Sequence, residues 1–215
     1  MSNIWTEIGA NWPNMVLAWT ALTLVAIAPG PTAMAIMGIS MQRGRGAGFL
    51  FTAGCMTGAF TWATLAGIGL SAWLTAWAAG IFLLKLAGAV YLGWMALKAF
   101  RSALSSNVLD LPTSESQRKG GLSLYTRGLL LHLTNPKAIL GWAAVITLSQ
   151  SGGGSIAVLV VTLAGCLIIT NIIHFSYAAI FATRSAMAAY RRARRWIEGV
   201  LGGVFAFASY KLATS

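Results

Sequence analysis

The long uncharged stretches of this chain restrict its fold more than any other feature. Residues 8–42 and 47–70 contain no Asp, Glu, Lys or Arg, and only 9% of the 215 residues are charged, whereas 57% are hydrophobic. Soluble proteins carry roughly 25% charged residues, so this composition cannot cover a water-exposed surface. A helix of about 20 apolar residues spans the roughly 30 Å hydrocarbon core of a bilayer. The chain is therefore predicted to be an all-α integral membrane protein with no separate soluble domain.

Six predicted transmembrane helices account for most of the chain. They cover residues 14–28 continuing at 32–41, then 47–70, 80–100, 122–148, 156–182 and 196–213. The last is the weakest, because it is short and flanked by Glu198 and Lys211. This pattern divides the chain into a first three-helix repeat (1–104), a polar linker (105–121) and a second three-helix repeat (122–215).

The positive charges predict the orientation. Twelve Lys and Arg residues lie in the loops after the first, third and fifth predicted helices, and the opposite side carries only Lys211. Cytoplasmic loops retain positive charge, so these loops are predicted to be cytoplasmic and both termini outside, in the inner membrane of the cell. The net charge of +11 then reflects topology and not nucleic-acid binding. The N-terminus lacks the basic region of a secretory signal, so the first apolar segment is expected to stay in the mature protein.

The two halves share features that indicate an inverted repeat. Pro29-Gly30-Pro31 interrupts the first predicted helix and Asn135-Pro136 the fourth, while Ala53-Gly54-Cys55 in the second has a counterpart in Ala164-Gly165-Cys166 in the fifth. With three spans in each half, the second half must enter the membrane from the opposite face. Secondary transporters use this arrangement and bind substrate between the halves.

The helix breaks predict the substrate site. Proline removes a backbone donor and clashes with the preceding turn, and non-helical backbone at membrane depth persists only inside protein or beside a water-filled cavity. The restarting helices offer free N–H groups, with Asn135 as N-cap and Pro136 at the first position, and helix N-termini favour anions. A carboxylate is the predicted guest. The alternative is that the prolines only kink the helices. The candidate substrate-binding residues are Pro29, Gly30, Pro31, Thr32, Lys85, Asn135, Pro136, Lys137 and Trp142.

Other polar and small residues have functional and structural interpretations. A lysine inside the bilayer is a functional candidate by default, although Lys85 lies close enough to a helix end to reach the outer surface. His174, with Asn171 on the same helix, is the candidate for carrying a coupling proton; the alternative is a hydrogen-bonded packing histidine. Two Gly-x-x-x-Gly pairs predict close helix packing, within the bundle or between the protomers of a homo-oligomer. These pairs are Gly54 with Gly58 and Gly199 with Gly203.

Several motifs resemble the lysine exporter (LysE/RhtB) family of amino-acid efflux carriers. They are Pro29-Gly30-Pro31 followed by residues 42–48, residues 84–94, Thr134-Asn135-Pro136-Lys137-Ala138, and residues 195–203. The resemblance implies export of amino acids or close derivatives, driven by the proton motive force. Many relatives carry an acidic residue after the second-helix glycine, where this chain has Ala59 after Gly58. A neutral substrate is therefore favoured over a cationic one.

Two other classes of function remain open on the sequence. Cys55 and Cys166 lie in matching positions and would suit a thiol–disulfide relay across the membrane, although free cysteine is also a common core residue. A non-transporting scaffold is the other class, and the buried lysine and the two breaks argue against it. The chain has no paired CxxC motif, and we expect no metal, no cofactor and no enzymatic activity.

Overall fold

The computed structural model describes residues 4–28, 30–70, 90, 93–94, 96–104, 121–150 and 155–214. These residues are almost entirely helical and include no strand. The chain forms two compact units, one of residues 1–71 and 112–182 and the other of residues 72–111 and 183–215. Pro29, Lys85, most of the predicted third helix and nearly all of the polar linker lie outside the described residues.

Among the described residues, the first unit contains five helices, and the second contains the last helix and the helical residues 96–104. The helices are α1 (Ile4–Ile27), α2 (Pro31–Leu65, continuing as a π-helical turn, Ala66–Leu70), α3 (Gly121–Leu133), α4 (Pro136–Gln150), α5 (Ile156–Ile180) and α6 (Arg184–Thr214). α1 begins at Ile4 and not near residue 14 as predicted, with Pro13 inside the helix. α6 continues from the basic stretch into the predicted last span without a break.

Length and apolar character identify the helices that suit a membrane. Among the described residues, α1, α2 and α5 are each long and apolar enough to cross a bilayer, and α3 with α4 forms a bent pair that qualifies together. α3 and α4 meet at an angle of 57° across the two residues before Pro136. The fold is therefore that of an all-helical membrane protein.

α2 is two helices joined at Gly44. This residue has φ 84° and ψ 173°, a backbone conformation that glycine adopts without strain. Gly48, after the break, approaches Ser40, before it, so closely that a Cβ on Gly48 would overlap the Ser40 hydroxyl. The chain therefore turns sharply at Gly44, and we call the part before it α2a and the part after it α2b.

Glycines bring the helices of the first unit together. A Cβ on Gly54 of α2b would overlap the carbonyl oxygen of Tyr125 in α3, and one on Gly128 of α3 would overlap that of Phe51. α1 packs on α5 in the same manner, because a Cβ on Gly165 would lie 2.5 Å from Nε1 of Trp19. Small residues allow such close backbone approach in membrane helices.

The second unit has its own contacts. In α6, the Arg194 guanidinium donates a hydrogen bond to the Ser102 hydroxyl at 2.8 Å, and Arg195 donates to the Ala103 carbonyl at 3.1 Å. Gly202 faces the Phe100 ring, where a Cβ would lie 2.8 Å from the nearest ring carbon. These contacts fix α6 against residues 96–104.

Candidate functional site

Two side chains donate hydrogen bonds to backbone carbonyls at the end of α1. The last carbonyls of a helix have no partner within it, and here the Lys137 ammonium donates to the carbonyl of Ala28 at 2.5 Å. The Tyr177 hydroxyl donates to the carbonyl of Ile27 at 2.6 Å. A cation at a helix C-terminus is also favoured by the helix dipole. Lys137 is only 8% exposed, so its charge is held inside the protein by this helix end.

Asn135 links the two interrupted regions. Its side-chain oxygen accepts a hydrogen bond from the backbone N–H of Lys137 at 3.1 Å, which caps the start of α4. Its side-chain nitrogen donates to the Thr32 hydroxyl, in the first turn of α2, at 3.0 Å. Both residues are buried. The start of α4, the start of α2 and the end of α1 therefore meet at one place.

Gly30 provides the space that the Lys137 side chain occupies. A Cβ on Gly30 would lie 3.0 Å from Cδ and 3.1 Å from Nζ of Lys137. Gly30 has φ −128° and ψ −176°, an extended conformation open to any residue. Glycine at this position is therefore explained by space for the lysine and not by backbone strain.

A cavity of about 40 Å³ lies where these helices meet. Its polar lining comes from Lys137, Asn135, Thr32, Thr170 and the two histidines of the chain, and Trp142 with residues of α1 and α4 supplies the apolar lining. A cavity needs roughly 10–15 Å³ of such volume to hold one water molecule. The cavity in this conformation is therefore large enough for a few waters and smaller than an amino acid.

The two histidines face each other across this cavity. The rings of His132 in α3 and His174 in α5 are 6.5 Å apart, with an interplanar angle of 80°. Nδ1 of His174 lies 2.8 Å from the carbonyl oxygen of Thr170. Both ring nitrogens of His132 and the Thr170 hydroxyl lack a hydrogen-bond partner among the described residues. His132 is 4% exposed, so both of its ring nitrogens are buried beside the cavity.

The structure brings together six of the residues predicted from the sequence. Gly30, Thr32, Asn135, Lys137, Trp142 and His174 all line the cavity, and Pro31 and Pro136 are the first residues of α2 and α4. Asn171 does not line it, since its side chain donates to the carbonyl of Leu167 in the same helix at 2.8 Å. The predicted Pro29 and Lys85 lie outside the described residues.

The predicted packing glycines differ from one another. Gly54 contacts the backbone of α3, and a Cβ on Gly58 would lie 3.0 Å from Cβ of His132. Nothing described lies within 4 Å of a Cβ placed on Gly199 or Gly203. Cys55 and Cys166 are free thiols, fully buried and away from the cavity lining.

Sequence reasoning missed His132, Thr170 and Tyr177. His132 lies one helical turn before Asn135, which was the available signal, but the direction in which α3 faces depends on how it packs on α2b. The part of the chain that the structure describes contains no group of three or more His, Cys, Asp or Glu residues arranged to hold a metal ion.

Comparisons with known proteins point to one family. The sequence profile described as LysE type translocator matches residues 23–215. The chain is 28% identical over 205 residues to the threonine efflux protein of Escherichia coli K12, covering 89% of this chain and 95% of that protein. It is 33% identical over 124 residues to the homoserine/homoserine lactone efflux protein of Salmonella typhimurium, covering 57% of this chain and 58% of that protein. No solved structure matches the chain.

Proposed function

Because this chain belongs to the LysE type translocator family, we propose that it exports a neutral amino acid or close derivative from the cytoplasm. Two of its relatives are named for the efflux of threonine and of homoserine and its lactone. Threonine and homoserine are therefore the substrates to test first. Export proceeds by alternating access and is driven by the proton motive force.

The observation that carries this proposal is the buried ammonium of Lys137 at the meeting point of the interrupted helices. The ammonium donates a hydrogen bond to the backbone carbonyl of Ala28, which carries only a partial negative charge. A substrate carboxylate carries a full charge and forms a stronger, charge-assisted hydrogen bond. The carboxylate of the substrate takes the place of the Ala28 carbonyl, beside the N-terminal turn of α2, which also favours an anion.

The charge of the cavity favours a neutral substrate. Its lining contains Lys137 and two histidines but no Asp or Glu from the described residues. A zwitterionic amino acid offers a carboxylate to Lys137, and its ammonium group finds hydrogen-bond acceptors in Thr170 and a neutral histidine. A substrate with a second positive charge would meet the lysine without a compensating carboxylate, which disfavours lysine-like molecules.

The histidine pair is the proposed carrier of the coupling proton. Imidazole is a side chain that can bind and release a proton, and His174 and His132 share the cavity with Lys137. The other titratable group beside His174 is Tyr177, whose ring centre lies 6.3 Å from that of His174. The described residues of α1 and α2 that line the cavity carry no titratable group. A proton bound from outside to this pair would be released inside after the substrate has left.

Two matching contacts support the inverted repeat. The first half of the interrupted helix in one repeat, α1, packs on Gly165 of the other repeat through Trp19. Conversely, the first half of the other interrupted helix, α3, packs on Gly54 through the backbone at Tyr125. These glycines are the central residues of the two Ala-Gly-Cys motifs. Exchange of equivalent contacts between the repeats is what a twofold relation between them requires.

Efflux from reconstituted vesicles tests the proposal. Vesicles loaded with labelled threonine or homoserine should lose label faster than protein-free vesicles, and acidifying the outside should speed the loss. Labelled lysine should be retained. A chain that releases none of these solutes faster than protein-free vesicles would not be an exporter of this class, which is the outcome that the scaffold hypothesis predicts.

A further inference from the structure

A second cavity of about 350 Å³ lies between α2a and α3. Small-molecule sites in proteins commonly have volumes of about 300–1,000 Å³, with mostly apolar walls and a few polar groups. This cavity fits that description, because residues such as Phe51, Leu124 and Leu131 form its walls. Its charged lining residues are Arg43 and Arg127.

The cavity extends from the helix breaks toward the predicted cytoplasmic side. Thr134, directly before Asn135, lines one end, together with Ala35 in the first turns of α2a. α2a runs away from the break and ends at Arg43, whereas α3 runs toward the break and carries Arg127 more than one turn before it. The cavity thus leads from the two arginines to the neighbourhood of Asn135.

The two guanidinium groups are available to a ligand. Arg43 and Arg127 are both exposed, and no described residue forms a hydrogen bond or ion pair with either. A guanidinium presents a planar set of donors that matches a carboxylate in two-point hydrogen bonding. Positive charge at the mouth of a cavity with apolar walls also concentrates anionic groups there.

We propose that Arg43 and Arg127 form an access site that binds the carboxylate of the substrate on the cytoplasmic side, before it reaches Lys137. The site rests on the proposed export function and deepens it, since it selects for a free carboxylate. The substrate then passes from guanidinium to ammonium along α2a. Amino acids with an extra positive charge are disfavoured twice along this path.

An anionic lipid headgroup offers the same chemistry to two arginines at a membrane surface. The structure favours the substrate, because the cavity does not stop at the arginines but continues to Thr134, beside the Asn135–Thr32 hydrogen bond. A binding site for a lipid headgroup at the membrane surface would not require a cavity that extends as far as the helix breaks.

Uptake into inside-out vesicles tests the access site, because the cytoplasmic face is then outside. The variants are Arg43→Gln and Arg127→Gln, with Arg45→Gln as the matched control, since Arg45 is exposed and two residues away but does not line the cavity. Each removes one positive charge from the same side of the membrane. Arg43→Lys and Arg127→Lys keep the charge and so preserve the topology.

We expect the KM for threonine uptake to rise about tenfold in the two Gln variants, with the maximal rate within about twofold of wild type. The Lys variants should show a smaller rise, and Arg45→Gln should match wild type. Raising the salt concentration should increase the KM of wild type more than that of the Gln variants, because salt screens exposed charges.

Three results separate the possible outcomes. If wild-type vesicles do not transport threonine or homoserine, the proposed function fails. If wild type transports but Arg43→Gln and Arg127→Gln behave like Arg45→Gln, the access site is wrong and the exporter stands. If the effect of the Gln variants disappears in vesicles of pure phosphatidylcholine and is present only with added phosphatidylglycerol, the arginines bind lipid and the access site is also wrong.

Discussion

At the scale of single residues, the site depends on space for one lysine side chain. Gly30 leaves room for Lys137, the carbonyl of Ala28 accepts its hydrogen bond, and the ammonium remains almost fully buried. A charge inside a membrane costs several kcal/mol unless it is paired or beside polar groups. The carbonyl at the end of α1 reduces this cost, and under the proposed function a substrate carboxylate takes its place.

Gly30→Ala is predicted to impair export without unfolding the protein. The added methyl group would contact Cδ and Nζ of Lys137 and displace the ammonium from its position. The displaced ammonium would lose its hydrogen bond to the substrate carboxylate. Such a bond to a charged group is worth about 1.5 kcal/mol, so efflux should fall roughly tenfold. The control is Gly9→Ala, since nothing lies within 4 Å of a Cβ there. Equal efflux in both variants would mean that this space has no role.

His174→Gln is predicted to remove the acceleration of efflux by external acid. Glutamine keeps a hydrogen-bonding side chain but cannot take up a proton, so substrate binding should persist while proton coupling is lost. His132→Gln tests whether the second ring shares this role. The measurement is labelled efflux over a range of external pH. A pH dependence in His174→Gln equal to that of wild type would exclude this residue as the carrier.

At the scale of helices, close packing depends on single glycines at specific positions. α2b and α3 approach each other through Gly54 and Gly128, each against the backbone of the other helix. The last predicted glycine pair, in α6, has no described neighbour at that distance. The same sequence motif therefore has a packing role in α2b that the described residues do not provide in α6.

Gly54→Ala is predicted to lower the thermal stability of the purified protein, because its methyl group would overlap the Tyr125 carbonyl and force α2b and α3 apart. Overpacking of this kind costs about 1–3 kcal/mol. Gly199→Ala should be neutral or slightly stabilising, since alanine favours helix more than glycine does. Thermal unfolding in detergent measures both, and equal stability of the two variants would contradict the packing described.

The Asn135–Thr32 hydrogen bond is predicted to couple the two breaks. Thr32→Val removes this bond alone, whereas Asn135→Ala also removes the cap of α4, a loss of about 1 kcal/mol. The double variant should be no less stable than Asn135→Ala, because both changes delete the same bond. Thermal unfolding of the three variants provides the comparison. Additive losses in the double variant would show that the two side chains act independently.

Sequence patterns predicted the local features of the site but not the packing between helices. Proline and asparagine act on their own neighbours in the chain, so the start of α4 and its cap at Asn135 follow from residues 135–137. The position of Asn171, in contrast, could not be predicted from its neighbours in the chain. Three residues from His174, it was expected beside that residue, but Thr170 faces the cavity, because the rotation of α5 is set by α1 through Trp19 and Gly165.

At the scale of the whole molecule, the family agrees with the motif resemblance, and the all-helical class with long apolar helices agrees with what hydropathy predicts. The packing of the first unit adds two cavities that extend from the breaks along different helix pairs, α2a with α3 and α1 with α4. The cavity between α2a and α3 is much larger than the cavity beside α1 and α4. On the predicted orientation the larger cavity faces the cytoplasm, and the proposed export would require the smaller cavity, beside α1 and α4, to open.

The most direct test of this account is efflux of labelled threonine and homoserine from loaded vesicles containing Lys137→Ala, with Lys98→Ala as control. Lys98 is exposed, lies over the Trp94 ring and is not among the residues that line the cavity. We predict that Lys98→Ala empties the vesicles at the wild-type rate and that Lys137→Ala, folded and present in equal amount, retains the label. Wild-type efflux by Lys137→Ala would contradict the central claim that this lysine binds the substrate.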